Sequence, residues 1–149
     1  MRNHKKVILS LVTERPEPWT FWDYVRGGNN PIEEWYQNLS DEALNLFDGI
    51  LKNASKTEHP INWIGFKRFL KGKYKQGRLW ELFFRADKRQ HRVIGFFRDQ
   101  RKQAGLLMGC YHKQNVYTPP DALDTAFKRA KDIREGRATL HERKIKNDI

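Results

Sequence analysis

Three apolar stretches follow one another with only four polar residues between each: "RLWELFFRA", "HRVIGFFRD" and "AGLLMGCYH", joined by "DKRQ" and "QRKQ". Their Val, Ile, Phe and Trp content suits strands, and links this short leave no room for a crossover helix. Neighbouring strands must therefore run antiparallel, as a meander. Alternation in the first stretch puts Trp80, Leu82 and Phe84 on one face and Glu81, Phe83 and Arg85 on the other. In the third it separates Leu106, Met108, Cys110 and His112 from Leu107, Gly109, Tyr111 and Lys113.

Elements are expected on both sides of these strands. "WTFWDYV" is a further extended candidate, dense in aromatic residues. Asn30 before Pro31 starts a helix with the apolar stripe Ile32, Trp35, Tyr36 and Leu39, and Ser40 caps a second with Ala43, Leu44, Phe47, Ile50, Leu51 and Ala54. The segment "NASKTEHPINWIGFKRFLKGKYKQGR" predicts a loop with a short ordered piece. Thr118 as N-cap, with Pro119 next and Asp121 three residues on, predicts a last helix striped by Leu123, Ala126, Phe127, Ala130 and Ile133. The expected fold class is α+β, with two N-terminal helices, an antiparallel meander and a C-terminal helix. Residues 19–135 form the domain. Residues 1–18, where "KVILSLV" is an edge strand or arm, are an extension, and 136–149 a frayed basic tail.

A chain of 149 residues can bury roughly two thirds of its unfolded surface without a disulfide or metal. The single Cys110 excludes an intramolecular disulfide, and its apolar neighbours suggest a small buried side chain in a reducing compartment. No apolar run approaches the roughly 20 residues that span a bilayer. The apolar part of "MRNHKKVILSLV" is short for a secretory signal, so a cytoplasmic protein with no membrane partner is expected. Lys and Arg number 29 against 18 Asp and Glu, a net charge of +11 that points to nucleic acid or an acidic protein.

The densest set of reactive side chains follows the third strand, in "GCYHKQNVYTPPDAL". A metal-free ribonuclease needs a base for the 2′-hydroxyl, cations for the phosphorane and an acid for the leaving 5′-oxygen. Arg85 can clamp phosphate with its planar fork, Lys113 adds charge, and either His112 or Tyr117 can move protons. Tyr111 can stack a base, while Lys67, Lys71, Lys73 and Arg78 can track the RNA backbone. Each also has a plain structural reading. Charges on an exposed face deter edge pairing, a strand-end His is often solvated, Tyr117 can anchor the helix after it, and Arg92 reads as structural. The five His are scattered, so no metal and no cofactor are expected. No GxxxxGK loop and no GxSxG elbow occurs.

Taken together, "FKRFL", "GRLWELFFR", "HRVIGFF" and "GLLMGCYHKQNVYTPPDALDTAFKRAKD" resemble, in order, the RelE/HigB toxin superfamily, nearest its phage-derived, HigB-like branch. The match runs over residues 19–135 and rests on Lys67, Trp80, Glu81, Arg92, Tyr111, Lys113 and Thr118. The resemblance implies a small α+β domain acting as the toxin of a type II toxin–antitoxin pair. Such toxins cleave mRNA, commonly on the ribosome, without a metal. Arg85, Lys113 and Tyr117 match the catalytic positions it implies. The partners implied are mRNA, the ribosome and an acidic or helix-turn-helix antitoxin. Phe83 stands where the branch has an Arg, His91 replaces a Tyr, Gln114 a Lys and Tyr117 a Lys. The alternative function is a noncatalytic RNA- or ribosome-binding module, or a phage-derived protein-interaction module.

Overall fold

The computed structural model describes residues 18–98 and 102–145. The expected "KVILSLV" strand or arm lies outside the described residues. The strands are β1 Thr20–Val25, β2 Phe66–Arg68, β3 Trp80–Ala86, β4 Arg89–Arg98, β5 Gln103–Lys113, β6 Val116–Thr118 and β7 Thr139–Arg143. The helices are α1 Pro31–Gln37, α2 Asp41–Ser55, α3 Gly72–Gln76 and α4 Ala122–Arg134. One seven-stranded sheet runs β2-β3-β4-β5-β1-β7, with β6 also paired to β5.

This corrects the expected fold class. Instead of two N-terminal helices, a meander and a C-terminal helix, the chain forms a mixed α/β sheet with helices interleaved among the strands. Two pairings cause the difference. The "WTFWDYV" stretch lies inside the sheet, parallel to β5 over Thr20–Asp23. On its other edge it is antiparallel to β7, which is drawn from the segment expected to be a frayed tail. Phe21, Tyr24, Val25 and even Asp23 are buried, as a central strand covered on both faces requires.

Local chemistry sets the element ends. Asn30 accepts a hydrogen bond from Glu33 N–H and Ser40 from Ala43 N–H, capping α1 and α2. Thr118 is not a helix cap. It pairs with Tyr111 as the last residue of β6, and α4 begins at Ala122. Two-residue turns with positive φ join β3 to β4 at Asp87 and Lys88 (55° and 61°) and β5 to β6 at Gln114 and Asn115 (53° and 67°). This backbone twist matches that of the strands they connect.

The strand register changes within β5. Ile94 faces Met108 and Gly95 faces Leu106, so Leu107 is an extra residue without an opposite number. Its carbonyl accepts a hydrogen bond from Arg129 at 2.8 Å. Alternation therefore resets there, and Leu106 and His112 lie on opposite faces, contrary to the simple period-two expectation.

One face carries Phe21, Trp80, Leu82, Phe84, Val93 and Leu106 beneath α1 and α2. Trp35 rests on Gly109 so closely that a Cβ there would lie 2.2 Å from its indole. The opposite face is covered by α4, whose Ala122, Ala126 and Ala130 pack on Ile94, Phe96, Leu107 and Cys110. The polar residues described next share that second face. No helix among the described residues is long and apolar enough to cross a membrane.

His91 is buried under the first layer, its ring stacked 5.0 Å from that of Phe84. Burial pushes its pKa below the ordinary histidine value. The unfolded chain therefore takes up a proton, near pH 6.5, before the native state does. Stability is expected to be level above that pH and to fall as pH drops below it. His91→Phe should remove part of the fall in Tm measured from pH 7.5 to 5.5. An unchanged pH profile in this variant would show that His91 is not the group responsible.

Candidate active site

Five adjacent strands each contribute one side chain to a polar row on the second face. Lys67 on β2 is directly opposite Glu81 on β3, Phe83 on β3 is opposite Arg92 on β4, and His112 on β5 is opposite Tyr117 on β6. Alternation in each strand then points Lys67, Glu81, Arg92, His112 and Tyr117 the same way. The hairpin from β5 to β6 explains why so many reactive groups crowd "YHKQNVY". The turn carries the chain back so that Tyr117 sits edge-on to His112, with ring centroids 4.2 Å apart.

Glu81 is the centre of the row. Its side chain is only 4% exposed and that of Arg92 only 14%. Arg92 Nη1 donates to Glu81 Oε2 at 2.5 Å, and Tyr117 Oη donates to Glu81 Oε1 at 2.7 Å. Arg92 Nη2 lies 3.2 Å from His112 Nδ1. Because a guanidinium has no acceptor, Nδ1 must be the accepting nitrogen, and in the neutral ring the proton sits on Nε2. That Nε2 is buried and has no hydrogen-bond partner among the described residues. The guanidinium also lies 4.4 Å from the centroid of the Phe83 ring.

The electrostatics follow from this packing. Burial, with Arg92 and Lys67 adding to it and Glu81 opposing, pushes the His112 pKa below the ordinary value, so the ring is neutral in the free protein. Burial and the bond to Glu81 push the Tyr117 phenol far above its ordinary value. Tyr117 is thus a fixed hydrogen-bond donor and a poor acid. The neighbouring Cys110 thiol is pushed up to about 12 by burial and by Glu81, which makes it a protonated core side chain. No group of three or more His, Cys, Asp or Glu is arranged to hold a metal ion among the described residues.

Two clefts meet at His112. One, of about 520 Å³, contains Glu81, Arg92 and Tyr117 with Lys67, Arg68 and Lys71 beside them. The other, of about 460 Å³, is lined by Arg85, Lys88, Arg89 and Lys113 at the two hairpin ends.

The residues singled out from sequence are therefore distributed unevenly. His112, Tyr117, Lys67 and Lys71 line the first cleft, while Arg85, Lys113 and Tyr111 line the second. Tyr111 points to the opposite face of β5 from His112 and lies under Arg89, 4.7 Å from its ring centroid. Lys73 is engaged elsewhere, in an ion pair with Asp124 at 2.8 Å and over the rings of Tyr74 and Phe127. Arg78 lies in a third groove. Glu81 and Arg92 were not among the expected site residues. In sequence, Glu81 was marked by its place with Phe83 and Arg85 on the face away from Trp80, Leu82 and Phe84, and by belonging to the words that carried the resemblance. Arg92, which reads as structural in sequence, joins the site through the register that sets it beside Glu81.

Comparison with known protein families, with curated proteins and with solved structures finds no match for this chain.

Proposed function

We propose that the chain is an endoribonuclease that cleaves by attack of the 2′-hydroxyl on the adjacent phosphate. The observation that carries this reading is the buried Glu81 carboxylate, held between Arg92 and Tyr117 and opening with His112 onto a basic cleft. Arg92 restrains both the base and the acid, because its two terminal nitrogens engage Glu81 Oε2 and His112 Nδ1. An incoming phosphate competes for that fork through paired charge-assisted bonds. Once Arg92 turns to the phosphate, Glu81 Oε2 is free to take the 2′-hydroxyl proton while Tyr117 keeps Oε1 in place. His112 Nδ1 is then free to take a proton from water, and the phosphate charge favours the imidazolium. As the 2′-oxygen bonds to phosphorus, the bond to the 5′-oxygen breaks and His112 Nδ1, opened by the departure of Arg92, gives that oxygen the proton it took up, while Nε2 stays buried. Arg92 and Lys67 neutralise the phosphorane. The products are a 2′,3′-cyclic phosphate and a 5′-hydroxyl.

The cationic clefts on either side favour a single-stranded backbone as substrate. The ordered sequence words that resemble the RelE/HigB superfamily supply the setting: mRNA on the ribosome, with an antitoxin as the natural inhibitor. Expression of the chain alone is expected to arrest growth, and primer extension should find new 5′ ends within open reading frames. The closed contacts around Glu81 favour one second reading, in which RNA is held and not cut. Growth arrest with intact transcripts would select it, and healthy cells rich in folded protein would contradict both.

A further inference from the structure

A third groove, of about 620 Å³, adjoins the catalytic cleft and shares Arg68, Phe69 and Leu70 with it. Its walls present the partly buried rings of Trp19, Phe69 and Phe97. Arg68, Lys75 and Arg78 line it, and no carboxylate does so among the described residues. Leu70, at the junction of the two clefts, is 71% exposed. Aromatic faces combined with cations and no opposing acid are what a single-stranded RNA base with its phosphate requires.

The order of the catalytic row gives this groove a direction, an inference that rests on the ribonuclease reading. The attacking 2′-hydroxyl belongs to the nucleotide on the 5′ side of the scissile phosphate and meets Glu81, on the strand next to β2. The leaving 5′-oxygen belongs to the nucleotide on the 3′ side and meets His112, which faces the cleft of Arg85 and Lys113. RNA laid across this row therefore runs with its 3′ side toward the hairpin ends and its 5′ side over Arg68–Leu70. We infer that the groove is a nucleobase-binding subsite for the RNA on the 5′ side of the cleavage position.

The test uses two fluorescent hexamers of 2′-O-methyl ribose, equal in length and charge, neither of them cleavable. One carries uracil only on its three 5′ sugars and the other only on its three 3′ sugars, the remaining sugars being abasic. Stacking on an aromatic wall is expected to make the first bind about 5- to 150-fold more tightly. Leu70→Glu, an exposed change that should leave Tm unmoved, is expected to abolish the difference. Equal affinities for the two hexamers would overturn the subsite and leave the groove to an acidic protein partner. A preference that survives in Leu70→Glu would overturn its location. Cleavage of an unmodified RNA is measured in parallel. A base preference without any cleavage counts against the ribonuclease reading, whereas cleavage without a preference counts against the subsite alone.

Discussion

Glu81→Gln is expected to slow RNA cleavage by about 100- to 10,000-fold, the usual cost of removing a general base. The amide has nearly the same shape and keeps an oxygen for Arg92 but leaves that guanidinium without its countercharge. A fall in Tm of up to about 6–20 °C is therefore expected, and the rate is measured well below the variant's Tm. Its effect separates two roles that the buried ion pair can have. If Glu81 only holds Arg92 in place, Gln substitutes for it in part and the rate falls little. If Glu81 accepts the 2′-hydroxyl proton, the amide cannot do so at any pH between 5 and 9. Single-turnover cleavage at saturating enzyme, with circular dichroism to verify folding, measures the difference. A variant that cleaves within threefold of wild type would remove Glu81 from the mechanism.

The second large effect concerns stability. Arg143, at the end of β7, donates through Nε to Asp23 at 2.9 Å and through Nη2 to Glu33 at 2.5 Å, and its guanidinium lies 4.7 Å from the Tyr36 ring centroid. The side chains of Arg143 and Asp23 are 8% and 5% exposed. Arg143→Met keeps much of the aliphatic packing but leaves the Asp23 carboxylate buried with, among the described residues, only Asn30 bonded to it. Breaking a buried pair from one side typically costs about 3–5 kcal/mol. In a domain of this size that corresponds to a fall in Tm of about 6–20 °C. Asp23→Asn combined with Arg143→Met should cost less than the sum of the single changes, because no orphaned charge remains. A Tm within 2 °C of wild type for Arg143→Met would mean that the last strand adds nothing to the sheet.

These two sites also mark where the sequence could and could not be read. The strands from Trp80 to Lys113 announce themselves by composition and short links, and the caps at Asn30 and Ser40 by local hydrogen bonding, since both signals act over a few residues. The pairing of β1 with β5 spans about eighty residues, and nothing in "WTFWDYV" names its partner. β7 is a five-residue strand rich in charge that ends the strand order among the described residues, so its composition resembles a tail. Thr118 has cap chemistry but is recruited by the backbone of Tyr111, a tertiary contact that overrides a local preference. In the site, His112 and Tyr117 stood out because they are close in sequence. Glu81 and Arg92 are eleven residues apart and become a pair only through strand register and the burial that makes their contact strong. The extra residue at Leu107 then decides which face His112 shares with them.

The most direct test of the ribonuclease account is the chemistry of the cut ends. Purified protein is incubated with a defined RNA, both free and bound to ribosomes, in the presence of a chelator, and the fragments are analysed by mass spectrometry. The account predicts 2′,3′-cyclic phosphate on the upstream fragment and a 5′-hydroxyl on the downstream one, with neither formed by Glu81→Gln at a comparable rate. Fragments bearing a 5′-phosphate, or RNA left intact in both forms by folded wild-type protein, would contradict it.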